Sequence, residues 1–80
     1  MTQGRRIAWP EGIGARGDYM QHASGTWYAM TPNGYLANLA AHDVIEHEDG
    51  TITVSPSILV RNHDGEQWHG FLDRGVWRAC

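Results

Sequence analysis

What most constrains this chain is the series of glycine turns along its second half, each set between short runs of β-branched and aromatic residues. Asp49-Gly50 lies between Asp43–Glu48 and Thr51–Val54, and an Asp-Gly pair so flanked is a strong hairpin signal. With those two residues as the loop, Glu48 faces Thr51, His47 faces Ile52, Glu46 faces Thr53 and Ile45 faces Val54. This register gathers Ile45, His47, Ile52 and Val54 on one face and the glutamates and threonines on the other. Asp64-Gly65 marks a second hairpin between Ile58–Asn62 and Gln67–Leu72, with Val60 facing His69 and His63 facing Glu66. Asp73-Arg74-Gly75 suits a three-residue loop that sets Leu72 against Val76 and Phe71 against Trp77. Between the first two hairpins, Ser55-Pro56-Ser57 should interrupt the ladder, because proline has no N–H to give it.

Upstream, Thr26–Met30 reads as a strand, and Thr31-Pro32-Asn33-Gly34 as a turn. The segment 35–42 is expected to be a short helix or helical turn, with Leu36, Leu39 and Ala40 on one face. Residues 1–25 carry Gly4, Gly12, Gly14, Gly17 and Gly25 among scattered apolar residues and show neither a two-residue nor a helical period. They read as an irregular N-terminal arm, either anchored by Trp9 or disordered, ahead of a single β-rich domain over 26–80. The expected fold class is mainly β (a small α+β arrangement being the variant), an antiparallel meander of about five to six short strands with at most one short helix.

Eighty residues suffice for one domain, and a chain of this size buries only about 60% of the surface its unfolded form exposes. Cys80 is the only cysteine, so no disulfide within the chain can reinforce the fold, and a reducing compartment is expected. The N-terminal residues lack the apolar run of a signal peptide or membrane span, which leads to the expectation of a soluble, cytoplasmic protein. Six basic residues, all arginine, stand against nine acidic ones. That balance gives no basic footprint for nucleic acid, and neither a nucleic-acid nor a membrane partner is expected. Arginine in place of lysine fits either a GC-rich genome or recognition through the planar guanidinium. The acidic cluster of Asp43, Glu46, Glu48 and Asp49 reads as a solvated turn.

Thr31-Pro32-Asn33-Gly34, Asn38-Leu39, His42, the run from Glu46 to Ile58 that contains Thr-Val-Ser-Pro-Ser-Ile, Trp68-His69-Gly70 and Gly75-Val76-Trp77 together resemble a family of small bacteriophage and prophage proteins. The resemblance covers about two thirds of the chain, and no activity comes with it. Some related families are longer and carry cysteine pairs before the Ser-Pro-Ser-Ile element; here those cysteines are missing, which speaks against a zinc knuckle. The resemblance therefore implies a phage or prophage origin, not a mechanism.

Five histidines, at positions 22, 42, 47, 63 and 69, are the residues that most invite a chemical reading. A zinc site needs three or four converging ligands, and these spacings match no metal motif. The expected cofactor and metal content is therefore none, with His42, His47 and His69 as the candidates should a metal bind. Ser55 and Ser57 read as hydroxyls bonding backbone at a strand kink, since no nucleophile elbow surrounds them. Gly12-Ile13-Gly14-Ala15-Arg16-Gly17 follows no strand and is no phosphate loop. Trp68 and His69 must point to opposite faces, and Gly70 leaves room for a close approach. The residues expected to line a binding surface are Trp68, His69, Arg74, Trp77 and Arg78, since tryptophan and arginine dominate interface hot spots. The function expected on these grounds is a non-enzymatic module that docks on a host or phage protein. A histidine-liganded, possibly hydrolytic protein and a virion structural component are the alternatives.

Overall fold

A computed structural model of the chain describes residues 2–61, 64–65 and 67–80. Nine strands follow one another: β1 (Thr2–Gln3), β2 (Arg5–Arg6), β3 (Asp18–Gln21), β4 (Trp27–Met30), β5 (Leu36–Asn38), β6 (Asp43–Glu46), β7 (Ile52–Arg61), β8 (Gln67–Asp73) and β9 (Val76–Ala79). They form a five-stranded sheet in the order β1-β9-β8-β7-β6 and a four-stranded sheet in the order β2-β3-β4-β5. The chain is mainly β, as its turns imply, and no helix occurs among the described residues. Two meanders, β3-β4-β5 and β6-β7-β8-β9, replace the single one expected. Among the described residues, no helix is long and apolar enough to cross a membrane.

The two sheets share one core. Tyr19, Trp27, Ala29, Ala37 and Leu39 come from the smaller sheet and its exit, and Ile52, Val54, Ile58, Trp68, Leu72 and Trp77 from the larger. Trp68 and Trp77 meet edge to face, ring centroids 5.3 Å apart, an arrangement aromatic quadrupoles favour.

The turns stand where the glycines place them, but the registers differ from the expected ones by one residue. In the β6–β7 hairpin, Ile45 faces Thr53 and Val44 faces Val54. The loop holds three residues, not two: His47 N bonds Thr51 O at 2.8 Å and Gly50 N bonds His47 O at 3.0 Å. A two-residue loop of type I′ would need positive φ at Asp49 as well as Gly50. In the longer loop only Gly50 adopts it (φ 87°), while Asp49 Oδ1 accepts from Thr51 N at 3.0 Å and Thr51 Oγ1 at 2.7 Å. The shift turns Ile45 and His47 away from the core and brings Val44 against it.

The β8–β9 turn departs in the opposite sense. Leu72 faces Trp77 and Phe71 faces Arg78, so Arg74-Gly75 is a two-residue loop with Arg74 at φ 47°. A non-glycine residue there costs roughly 1–2 kcal/mol. The register in return lets Leu72 and Trp77 share the inner face, and burying a tryptophan ring contributes roughly 4–6 kcal/mol at about 25 cal/mol per Å². In the β7–β8 pair, Val60 faces Trp68 and Leu59 faces His69, so Val60 points inward and His69 outward. The expected pairing of His63 with Glu66 lies outside the described residues. Ser55-Pro56-Ser57 does not end the strand: β7 runs through it, and the register shift between Val54 and Ile58 absorbs the missing donor.

Residues 35–42 form no helix. The turn after β4 lays Leu36–Asn38 along Trp27–Met30, with Ala37 and Leu39 buried and Leu36 57% exposed. This alternation of period two satisfies the free edge of β4, which eight helical residues could not. A tight turn follows, with His42 N on Leu39 O at 3.0 Å. The stretch 1–25, read as irregular, contributes three short strands and buries Ile7, Tyr19 and Met20. Its first residues stitch the sheets together, because β1 pairs with β9 and β2 runs parallel to β3. Trp9 is not its anchor. It is about half exposed and lies against His22, ring centroids 4.1 Å apart. Arg6 reaches further, with its guanidinium 5.0 Å above the Trp27 ring and paired with Glu46.

The hydrogen bonds from Thr51 hold the Asp49 carboxyl below its ordinary pKa, the side-chain bond contributing most. A carboxyl with a depressed folded-state pKa adds stability that is complete above its unfolded value and is lost as pH falls through its folded value. Asp49 is accordingly expected to titrate below the usual aspartate range in an NMR pH series, and Thr51→Val to return it towards that range. An ordinary value in the wild-type chain would show that the loop hydrogen bonds do not persist in solution.

Candidate functional site

The outer face of the five-stranded sheet carries most of the polar and unburied apolar side chains with chemical potential. Because Ile52, Val54, Ile58, Trp68, Leu72 and Trp77 point inward, their neighbours Thr53, Ser55, Leu59, His69, Phe71, Asp73 and Arg78 point out. Leu59 and Phe71 remain 47% and 46% exposed, and Ile45 on β6 57%. Thr53, Ser55, Phe71, Asp73 and Arg78 surround a shallow depression of about 350 Å³.

Two hydrogen-bonded groups lie on this sheet. His47 Nε2 is 2.7 Å from Thr53 Oγ1, which is 3.1 Å from Asp73 Oδ1 and accepts from Arg74 N at 3.1 Å. A carboxylate only accepts, so the threonine proton goes to Asp73 and His47 Nε2 is the donor. Thr53 thus spends its hydrogen on Asp73 and is not activated by the histidine. In the second group, Ser57 Oγ is 2.8 Å from His69 Nε2. That is the distance of a nucleophile and its base, but no carboxylate orients His69 among the described residues, which a triad would need. Cys80, with an exposed thiol, bonds its N–H to His69 O at 2.9 Å and so sits directly opposite it.

The expected site residues are divided by the fold. His69, Arg74 and Arg78 are exposed. Trp68 and Trp77 are not part of a surface: they are 9% and 1% exposed, and both rings belong to the core. His42 donates from Nε2 to Ser57 O at 3.2 Å, while its Nδ1 is buried and has no partner among the described residues. His42 and His69 both engage Ser57, at its carbonyl and its hydroxyl, while His47 engages Thr53, and among the described residues no three His, Cys, Asp or Glu side chains converge on a common point. His63 lies outside the described residues. Ile45, Leu59 and Phe71 were not expected at the surface. Their signal was the alternation itself, which a register wrong by one residue assigns to the other face.

Compared with known proteins, the chain matches no family model, no curated protein and no solved structure at a significant level.

Proposed function

We propose that this chain is a non-enzymatic protein-binding module that docks through the outer face of its five-stranded sheet. The observation that carries this reading is the exposure of Leu59 and Phe71, each close to half accessible, on a sheet that also presents Arg78 directly opposite Phe71. Aromatic side chains and arginine are enriched at protein–protein interfaces, and the exposed Leu59 adds apolar surface beside them. The resemblance to small bacteriophage and prophage proteins supports a host or phage protein as the partner, met inside the host cell.

Capture from host lysate, before and after infection, tests the reading. The Leu59→Ser/Phe71→Ser double variant changes two exposed positions and is expected to retain the wild-type melting temperature within a few degrees while losing the captured protein. Leu36→Ser alters a comparably exposed residue of the other sheet and is expected to keep it. Capture undiminished in the double variant would remove this face from the interaction. Self-assembly in place of capture would favour a structural component of the virion.

A further inference from the structure

We infer that the free edge of β6 receives an extended, basic segment of another protein as an added antiparallel strand, a binding mode separate from docking on the outer face. Four strands end the two sheets: β1 and β6 in the larger, β2 and β5 in the smaller. β1 and β2 have two residues each and β5 three, so β6, with four, offers the longest edge. Its register with β7 and the bond from His47 N to Thr51 O fix which backbone groups are already spent. Hydrogen-bonded pairs alternate in an antiparallel ladder, so Asp43, Ile45 and His47 bond β7 while the N–H and C=O of Val44 and Glu46 point to the open side. Among the described residues no strand pairs with that side. A cleft of about 330 Å³, lined by Thr26, Trp27, Leu39, Ala40, His42 and Val44, leaves room beside it.

Charge decides the occupant. Asp43, Glu46, Glu48 and Asp49 stand on β6 and the loop that follows it. Arg6 is the cation that reaches β6, and Glu46 takes its charge. Arg74 stands across the hairpin with its N–H on Thr53 Oγ1, the same hydroxyl that bonds the carboxylate of Asp73. Arg78 lies on β9, three strand spacings or about 14 Å from β6, and Arg61 closes the far end of β7. His42 and His47 border the strand, with Nε2 bonded to Ser57 O and Thr53 Oγ1. Asp43 and Glu48 are exposed and make no ion pair among the described residues. Negative charge therefore exceeds positive along this edge. A second copy of β6 would set carboxylates against carboxylates, the arrangement by which charged edge strands resist self-pairing. A basic strand meets the same edge with complementary charge, main-chain bonds supplying affinity and side chains the choice of partner.

The register specifies the segment. Every pair in the larger sheet is antiparallel, and an added strand of the same sense runs from the level of Glu48 to that of Asp43. Basic residues then meet Glu48 and Asp43, an apolar residue meets Ile45, and small or β-branched residues meet Val44 and the Arg6–Glu46 pair. Lys-Thr-Thr-Val-Val-Lys satisfies each position. Its third and fifth amides face Glu46 and Val44 and bond β6, whereas its second and fourth point away.

Fluorescence anisotropy with the full chain and labelled, end-capped peptides tests this. Lys-Thr-Thr-Val-Val-Lys is expected to bind at least about tenfold more tightly than its counterpart with glutamate for lysine, and to weaken as salt rises. N-methylation of the third and fifth amides should weaken it at least about tenfold, while methylation of the second and fourth should change it less than about threefold. Asp43→Lys/Glu48→Lys alters two exposed positions and should abolish the preference for the basic peptide with the melting temperature within a few degrees of wild type. Leu59→Ser/Phe71→Ser should leave peptide binding unchanged, which separates this edge from the outer face. Equal binding of the glutamate peptide, indifference to methylation of the third and fifth amides, or no binding at millimolar concentration would each overturn the inference. So would binding that survives the lysine substitutions but is lost with Leu59 and Phe71.

Discussion

Trp77→Ala is expected to cost about 3–5 kcal/mol, the range for deleting a fully packed aromatic ring. Trp77 is 1% exposed, packs edge to face on Trp68, and lies opposite Leu72, itself fully buried. Its indole also does what a hydrocarbon of equal size could not. Nε1 donates to Gly17 O at 3.0 Å, and Gly17 N in turn donates to Met30 O at 2.8 Å, at the end of β4. One side chain on the larger sheet is thereby tied to the backbone of the smaller one. Alanine removes the ring, opens a cavity between the sheets and leaves the Gly17 carbonyl without its indole donor. For a domain this small each kcal/mol moves the melting temperature by about 4–8 °C, so a fall of roughly 12 °C or more is expected in a circular-dichroism melt. Trp77→Phe keeps an aromatic ring in the core but loses the donor together with part of the indole. It should fall between wild type and Trp77→Ala. A melting temperature for Trp77→Ala within a few degrees of wild type would show that the two sheets do not depend on this ring.

The positions of the turns were legible in the sequence. The registers were not, and the reason is local. Asp-Gly can close a two-residue loop or form the last two residues of a three-residue one, and only the hydrogen bonds from Thr51 to Asp49 select the second. Arg74-Gly75 reads naturally as part of a longer loop because arginine resists positive φ, yet Arg74 adopts it so that Leu72 and Trp77 can share the core. Each choice moves one strand by one residue, and each such step exchanges inside for outside. This is why Ile45 reads as inward-facing; Trp68 and Trp77 read as surface anchors on composition alone, whereas Trp68 alternates in phase with Leu72 and Trp77 faces it, which places both inside. The segment 35–42 failed differently: alanine and leucine favour helix in isolation, but the unpaired edge of β4 gives Leu36–Asn38 a partner that a short helix lacks. The pairing of β1 and β2 with two different sheets leaves no trace in periodicity, because two residues are too few to show one.

Gly70→Ala is expected to cost about 2–3 kcal/mol, towards the top of the range for overpacking, although it adds a single methyl group. The glycine has ordinary extended backbone, so what excludes a side chain is space. A Cβ built at Gly70 would lie 2.2 Å from Arg78 O and 2.5 and 2.8 Å from Cη2 and Cζ2 of Trp68, whose ring folds over the position. The indole could swing aside at the expense of its contact with Trp77. The carbonyl cannot, because it belongs to β9, held in register by the Phe71–Arg78 and Gly70–Ala79 pairings. Alanine must therefore push β9 from β8 or lift Trp68 out of the core, and either route also loosens the β1–β9 contact at the sheet edge. Gly14→Ala is the matched control, since nothing lies within 4 Å of a Cβ there, and it should leave stability within about 0.5 kcal/mol of wild type. Hydrogen exchange distinguishes the two routes. Loss of protection at Cys80 N, which bonds His69 O, would follow strand separation, whereas an intact β9 with exposed indole fluorescence would follow displacement of Trp68. If Gly70→Ala instead melts with the Gly14→Ala control, β8 and β9 are further apart in solution than their register requires, and the close packing of Trp68 over Gly70 does not exist there.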